Sequence, residues 1–142
     1  MLRGRPTLAS VLLCCICLPV LTQGNKPKPC SRDSIRHVNK LINDKDLKLL
    51  DCMLYTPTTG DYKQNCPRST LNCFADEVNV LIEESNKNIA AQRLYGMLKA
   101  LAGRIDQSES ECLQCESHKE EKVEKFLSDL LEILKQNNSE HC

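Results

Sequence analysis

Ten cysteines within 142 residues constrain the fold of this chain more than any other feature of its sequence. Three of them, Cys14, Cys15 and Cys17, lie in an apolar run near the first residue, and the other seven are spread from Cys30 to Cys142. Disulfides form in oxidising compartments, and many cysteines in a short chain are typical of proteins that pass through one. The two groups need separate explanations.

The first group lies in a segment with the layout of a secretory signal peptide. Arg3 and Arg5 precede an uncharged, mostly apolar run from Leu8 to Leu21, which ends shortly before Gly24. This run of about 14 residues is shorter than the roughly 20 that a membrane-spanning helix needs. We therefore expect residues 1–24 to be a signal peptide rather than an anchor, and residues 25–142 to be one secreted domain without membrane insertion.

Seven cysteines in a secreted domain predict disulfides with one thiol left over. Four of them form two close couples, Cys66 with Cys73 and Cys112 with Cys115. A bridge within a couple would be too local, so we expect two parallel bridges between the couples. Each would close a loop of about 40 residues and contribute about 3–4 kcal/mol. A four-cysteine zinc site usually has tighter spacing, and no strand precedes Cys112 as a thioredoxin-type motif requires. We therefore expect no metal and no cofactor.

Apolar residues at steps of three and four predict four helices. The first extends from Ser34 to about Asp51, although the polar run Asp44, Lys45 and Asp46 interrupts its apolar stripe of Ile35, Val38, Leu41, Ile42, Leu49 and Leu50. A serine at 117 followed by Glu120 fits a capping box and predicts that the fourth helix starts there. No alternation of polar and apolar residues predicts a strand. The stripes of the second, third and fourth helices are Leu71, Phe74, Val78, Leu81 and Ile82; Ile89, Leu94, Met97, Leu98 and Leu101; and Val123, Phe126, Leu127, Leu130, Leu131 and Leu134.

Four such stripes predict an all-α fold, a short-chain four-helix bundle. The connections over residues 55–69 and 104–116 are long enough to run the length of a helix, whereas residues 84–88 form a short one. Short connections join antiparallel neighbours and long crossovers join parallel ones. The expected order is up-up-down-down with two long crossovers, an arrangement found in cytokine bundles. The first helix then begins where the fourth ends, so a bridge between Cys30 and Cys142 fits and would leave Cys52 unpaired.

Charge and motif content exclude several classes of function. Basic and acidic residues are balanced at 19 each, which argues against a nucleic-acid-binding surface or a cationic membrane-active helix. The histidines His37, His118 and His141 are scattered and match no metal-ligand or nucleophile spacing. We therefore expect a protein that is not an enzyme.

Two motif blocks resemble interleukin-15. Leu54, Tyr55 and Thr56 in the first crossover precede Cys66 and the pair Cys73-Phe74. Later, the stretch 110–116 with its two cysteines leads to Glu-Lys-Phe-Leu at residues 124–127. The match covers roughly residues 51–134. The resemblance implies an interleukin-15-like cytokine of the interleukin-15 and interleukin-2 family, with disulfides Cys66–Cys112 and Cys73–Cys115.

The same resemblance implies receptor contacts. In interleukin-15 the alpha receptor chain is bound by an acidic surface on the second helix and the start of the fourth, with a crossover tyrosine. The matching residues here are Tyr55, Glu77, Glu84, Glu116 and Glu120. Carboxylates seven residues apart lie on one helix face and suit bidentate recognition by arginine. A solvated helix face, which acidic residues also occupy, is the alternative interpretation.

The beta and common gamma receptor chains are matched less closely. Asp33 is the nearest carboxylate to the position where the first helix of the family supplies one, and Gln92 is the candidate on the third helix. Lys135 aligns with the glutamine of the family that meets the gamma chain, and Gln136 follows it. The resemblance implies a monomer that acts through these chains in JAK/STAT signalling to activate lymphocytes. A small disulfide-linked helical carrier or inhibitor protein is the alternative function.

One glycosylation sequon is present. Asn137 is followed by Asn138 and Ser139, which is the acceptor pattern for an N-linked glycan. A glycan there would lie close to Gln136 and compete with a receptor contact at that end of the fourth helix.

Overall fold

A computed structural model describes residues 28–108 and 111–142; the expected signal peptide, residues 1–24, lies outside this range. Four long helices form the bundle: α1 (Arg32–Ile42), α4 (Pro67–Glu84), α5 (Ile89–Arg104) and α6 (Val123–His141). The first crossover contains α2 (Lys45–Lys48), strand β1 (Met53–Tyr55) and α3 (Thr59–Lys63). The second contains a 3₁₀ turn (Cys115–Ser117) and strand β2 (Glu120–Lys122).

Contacts at the helix ends establish the up-up-down-down order. Ser31 donates its hydroxyl to the carbonyl of Leu134 at 2.7 Å, so α1 begins beside the end of α6. Asn88, at the start of α5, donates to Asp44 just after the end of α1 at 3.3 Å. Helix α4 ends at this second end of the bundle, because only a short turn separates it from α5. Helices α1 and α4 therefore run one way and α5 and α6 the other, as the connection lengths predicted.

The core lies where the apolar stripes of the four helices meet. Phe74 of α4 and Phe126 of α6 are fully buried and pack with ring centroids 5.2 Å apart, a separation favourable for tilted aromatic pairs. Val38 and Leu41 of α1 and Leu98 of α5 complete the centre. The predicted stripes of the second, third and fourth helices are buried or half-buried except at Ile89, the first residue of α5, which is 68% exposed. None of the helices among the described residues is long and apolar enough to cross a membrane.

The first helix is shorter than its sequence pattern predicted. It ends at Ile42, and Asp44 then caps the separate helix α2 by accepting hydrogen bonds from the backbone of Asp46 and Leu47. Leu49, which was expected in the apolar stripe, is 81% exposed. Aspartate competes with helical backbone bonding and favours caps, so the polar run that blurred the pattern is where the helix breaks.

The start of the fourth helix was also predicted wrongly. Ser117 ends the 3₁₀ turn, Glu120 is in a strand, and α6 begins only at Val123. The segment is extended because β2 pairs with β1, a long-range contact that local sequence does not reveal. A capping box is present instead in the first crossover, where Thr58 and Asp61 exchange side-chain and backbone hydrogen bonds. His118 lies 3.5 Å from Asp61, so the two crossovers touch.

Candidate functional site

The two crossovers meet in a two-stranded antiparallel sheet. Tyr55 of β1 lies directly opposite Glu120 of β2, and the backbone N–H of Thr56 donates to the carbonyl of Lys119 at 2.9 Å. The expected crossover tyrosine and an expected acidic residue are thereby brought together from distant parts of the chain. The strand pair was not predicted, and it is the centre of the site.

Glu77 lies behind this sheet rather than on the surface. Its side chain projects from α4, only 8% of the residue is exposed, and its Oε1 accepts a hydrogen bond from the backbone N–H of Tyr55 at 2.6 Å. Burial raises the pKa of the Glu77 carboxyl, and the charges of Asp76, Glu120 and Glu116 raise it further, whereas the hydrogen bond from Tyr55 lowers it. Glu77 is therefore mostly buried behind β1 rather than on an open helix face, and its contact with the alpha chain stays a prediction.

The other three carboxylates of the predicted surface are exposed. Glu84 lies two turns beyond Glu77 on α4, Glu116 is in the 3₁₀ turn, and Glu120 is in β2. Glu116 and Glu120 are close enough to Glu77 for their charges to raise the pKa of its carboxyl. Glu84 and Glu77 in the same way raise the pKa of the thiol of Cys52, the residue directly before β1. The structure thus gathers all five expected residues around β1. We call Tyr55, Glu84, Glu116 and Glu120 the acidic surface.

Two exposed apolar residues adjoin the acidic surface and were missed in the sequence. Met53 precedes Tyr55 by two residues, so it shares a face of β1 with it, and it is 48% exposed. Val80 lies between Glu77 and Glu84 on the same face of α4 and is 40% exposed. The alternation of exposed Met53, buried Leu54 and half-buried Tyr55 was the available signal, but three residues are too few to indicate a strand.

Disulfides hold the second crossover against α4. Cys66 is bonded to Cys112 and Cys73 to Cys115, the pairs that the family resemblance implied, and Cys30 is bonded to Cys142. Cys115 directly precedes Glu116, so the second bridge fixes one carboxylate of the acidic surface relative to α4. Bonding of Cys30 to Cys142 joins the beginning of α1 to the end of α6.

Cys52 is the free cysteine among the described residues. It is half-buried, and burial raises the pKa of its thiol, as do the nearby carboxylates Glu84, Asp51 and Glu77. A thiol with a raised pKa is mostly protonated at neutral pH and is a poor nucleophile. The position of Cys52 beside the acidic surface therefore makes it less reactive than an exposed cysteine.

The residues expected to contact other receptor chains fall into two places. Asp33 at the start of α1 and Lys135 and Gln136 near the end of α6 lie at the same end of the bundle, because these two helix ends are in contact. Asp33 forms an exposed ion pair with Arg36 at 3.3 Å, and Gln136 donates to Glu140 at 2.9 Å. Gln92, exposed on α5, lies at the opposite end of the bundle near the end of α1.

Asn137 is an internal residue of the folded helix. Its side chain is fully buried, and its Nδ2 donates to the hydroxyl of Tyr62 at 3.1 Å. An N-linked glycan is attached through this same nitrogen and needs access to solvent. A glycan on Asn137 would therefore require the loss of this contact, so the structure does not favour the predicted site.

An up-up-down-down bundle of four helices, with two crossovers paired as a small sheet and held by disulfides, defines a helical cytokine. The family model for interleukin 15 matches residues 11–137. The chain therefore belongs to the interleukin-15 family, a family of cytokines and not of enzymes. Both expectations drawn from the sequence, the family and the absence of an enzymatic role, are confirmed.

Two known relatives show the extent of the similarity. Interleukin-15 of Bubalus bubalis is 32% identical over 91 residues, which cover 61% of this chain and 54% of the relative. Interleukin-15 of Ovis aries is 31% identical over 90 residues, which cover 60% of this chain and 54% of the relative. The chain thus spans about half the length of the curated relatives it matches. No solved structure matches it significantly.

Proposed function

We propose that this cytokine is secreted after removal of residues 1–24 and binds, as a monomer, the alpha chain of an interleukin-15-type receptor through the acidic surface. Engagement of the beta and common gamma chains then activates JAK/STAT signalling in lymphocytes. The observation that carries the proposal is the convergence of Tyr55, Glu84, Glu116 and Glu120 around the β1–β2 sheet.

The chemistry of this surface indicates what the alpha chain presents. Exposed carboxylates attract a basic partner over long distances and accelerate association, and a carboxylate is a group that arginine recognises in a bidentate geometry. Met53 and Val80 provide apolar area beside the charges, and interface energy concentrates where an apolar centre is enclosed by polar contacts. We expect the alpha chain to present arginines around an apolar side chain.

Contacts with the beta and gamma chains are proposed at the two other places. Asp33, Lys135 and Gln136 share one end of the bundle, and Gln92 lies at the other end. One receptor chain meeting both places would have to extend along α1. We therefore propose that Gln92 and the group of three contact different parts of the signalling receptor.

The alpha-chain proposal is tested by measuring binding of the secreted chain to alpha, beta and gamma ectodomains. The variant Glu84→Gln/Glu120→Gln should bind the alpha chain at least about tenfold more weakly, because two charge pairs of about 1 kcal/mol each are lost. Glu132→Gln is the matched control, since Glu132 is an exposed carboxylate on α6 outside the acidic surface. Equal alpha binding by the double variant and the wild type would refute the proposed surface.

The signalling contacts need a separate experiment. Asp33→Lys and Gln136→Ala should reduce receptor-dependent STAT phosphorylation while leaving alpha binding unchanged. Unchanged STAT phosphorylation in both variants would remove these residues from the signalling interface. Binding of the wild-type chain to none of the three ectodomains would overturn the proposed function as a whole.

A further inference from the structure

The balance of charge over the whole chain conceals an uneven distribution. Residues 85–105, which include all of α5, contain no aspartate or glutamate. The basic residues of this stretch are Lys87, Arg93, Lys99 and Arg104. From residue 28 onward the acidic residues lie on α4, on α6 and in the two crossovers, with the exception of Asp33 on α1. Helices α1 and α5 are therefore the basic part of the bundle.

Helix α1 has a basic stripe on its exposed side. Arg32, Arg36 and Lys40 follow one another at steps of four residues, which places them on one face of the helix. All three are exposed. Arg36 forms an ion pair with Asp33 in which both side chains are largely exposed, and surface pairs of this kind contribute little free energy. Arg32 and Lys40 have no ion-pair partner within the described part of the chain.

Helix α5 packs beside α1 and extends this stripe sideways. It starts where α1 ends and runs antiparallel to it, so Arg93 in its second turn lies at about the level of Lys40 in the last turn of α1. Lys99 contacts Asp76 of α4 at 3.7 Å, which shows that its side of α5 faces α4. Arg93 is exposed and is rotated about 120° from Lys99 around the helix axis, on the side toward α1.

We call Arg32, Arg36, Lys40 and Arg93 the basic face. Large exposed apolar side chains among the described residues are Leu49, Met53, Val80, Ile89 and Leu113. Of these, only Ile89, the first residue of α5, belongs to α1 or α5. Protein interfaces concentrate their binding energy in apolar and aromatic anchors, and helices that bind membranes insert such residues. A face with charges and no such anchor in its middle fits a hydrated polyanion better than a protein or a lipid surface.

We propose that the basic face binds a sulfated glycosaminoglycan. Sulfate groups repeat along such a chain, and clustered lysine and arginine residues are the footprint of heparin-like polyanions. Arg32 and Lys40 are separated by about 12 Å along the helix axis, so a linear chain can contact the three side chains of α1 in succession. Arginine suits this role because its planar fork matches the oxygens of tetrahedral anions. The basic face shares no residue with the acidic surface, so this inference does not depend on the proposed alpha-chain binding.

Heparin is the probe, and its binding to the secreted protein is measured at 0.15 M NaCl by surface plasmon resonance. The variant Arg32→Gln/Arg36→Gln/Arg93→Gln should bind heparin at least about tenfold more weakly than the wild type, because three charge contacts are lost. Asp33→Asn should bind about twofold more tightly, because it removes the acidic residue that borders the face. Circular dichroism verifies that both variants are folded, and the effect of Asp33→Asn keeps the test decisive if the triple variant is not.

The matched control is Lys119→Gln/Lys122→Gln/Lys125→Gln. It removes the same net charge from three exposed lysines in the second crossover and at the start of α6, outside the basic face. It should bind heparin within about threefold of the wild type, because charges that do not touch the polyanion are screened beyond about 8 to 10 Å at this salt concentration.

Four results would overturn the inference. A wild-type chain that does not bind heparin at 0.15 M NaCl would remove the site. Equal weakening in the triple variant and its control would make binding a property of net charge and not of this face. Equal affinity for heparin and for desulfated heparin would show that sulfate is not recognised. Tighter binding to phosphatidylserine vesicles than to heparin would assign the face to a membrane. None of these results bears on alpha-chain binding, which is measured separately.

Discussion

The two bridges between α4 and the second crossover should be partly redundant, and this redundancy is measurable. Cys66–Cys112 and Cys73–Cys115 have sequence separations of 46 and 42 residues. Cys66 and Cys73 are seven residues apart in the sequence, and their partners Cys112 and Cys115 are three residues apart. In an unfolded chain that keeps one bridge, the other therefore closes a loop of only about ten residues.

Loop-closure entropy sets the expected magnitudes. A loop of about ten residues corresponds to about 2.7 kcal/mol, and a loop of 42 or 46 residues to about 4 kcal/mol. Replacing Cys66 and Cys112 with alanine should lower the free energy of unfolding by about 3 kcal/mol. Replacing Cys73 and Cys115 should cost roughly 1 kcal/mol more, because the side chain of Cys73 is buried. Removing both bridges should cost about 7 to 8 kcal/mol, so the second removal costs more than the first.

Urea unfolding followed by circular dichroism measures these differences, with thiol counts to verify which bridges remain. Cys30→Ala/Cys142→Ala is the control. The Cys30–Cys142 bridge still closes a loop of about 66 residues when the other bridges are present and shorten the path between the two cysteines. It should cost about 4 kcal/mol, more than the loss of Cys66–Cys112. The entropic reasoning would be refuted if Cys66–Cys112 cost more than Cys30–Cys142, or if the parallel bridges were strictly additive.

Three further predictions follow from single contacts. Tyr62→Phe removes the acceptor of the buried Asn137 amide and should lower the free energy of unfolding by about 1–3 kcal/mol; a change below about 0.5 kcal/mol in urea unfolding would contradict the contact. Cys52 should react more slowly with a thiol reagent at pH 8 than the amino acid cysteine in solution does. Glu84→Gln should accelerate the reaction, because the charge of Glu84 raises the pKa of the Cys52 thiol. An unchanged rate in the variant would contradict this. The carboxyl pKa of Glu77 is raised above its ordinary value of 4.5, so ionisation of Glu77 destabilises the folded state. The stability that the folded state has while Glu77 is protonated is lost as the pH rises from 4.5, the ordinary pKa of a glutamate carboxyl, through the raised pKa of Glu77 in the folded state. The unfolding free energy of Glu77→Gln should therefore improve relative to the wild type over that rise, and a constant difference would show that the carboxyl pKa is not shifted by folding.

The helices were predictable because their signal is local. An amphipathic stripe repeats every three to four residues, and the predicted stripes of α4, α5 and α6 face the core except at Ile89, at the start of α5. The order of the helices followed from the lengths of the connections, since a short join of residues 84–88 permits only antiparallel neighbours. The predictions were wrong at helix boundaries. The first helix ends before Asp44, and the fourth begins only at Val123 because the residues before it pair as a strand.

The acidic surface was predictable in its members but not in their roles. Tyr55, Glu84, Glu116 and Glu120 were identified through the resemblance to a known family, and the structure brings them together. Glu77 carries the same side chain as its neighbours, and nothing in its local sequence indicates that it is buried. In the folded protein the Glu77 carboxyl lies behind β1 and accepts a hydrogen bond from the backbone of Tyr55, 22 residues away.

The sequence by itself predicted that the ten cysteines separate into a leader group of three and a group of seven that forms disulfides with one thiol left over, and that four apolar stripes form a bundle. Both properties depend on residue type and spacing along the chain. Only the tertiary structure decided that the two crossovers pair as strands, that Glu77 lies beneath them, and that Asn137 of the sequon is buried against Tyr62. These depend on which distant residues meet, because burial and the partner of a hydrogen bond are set by packing and not by local sequence.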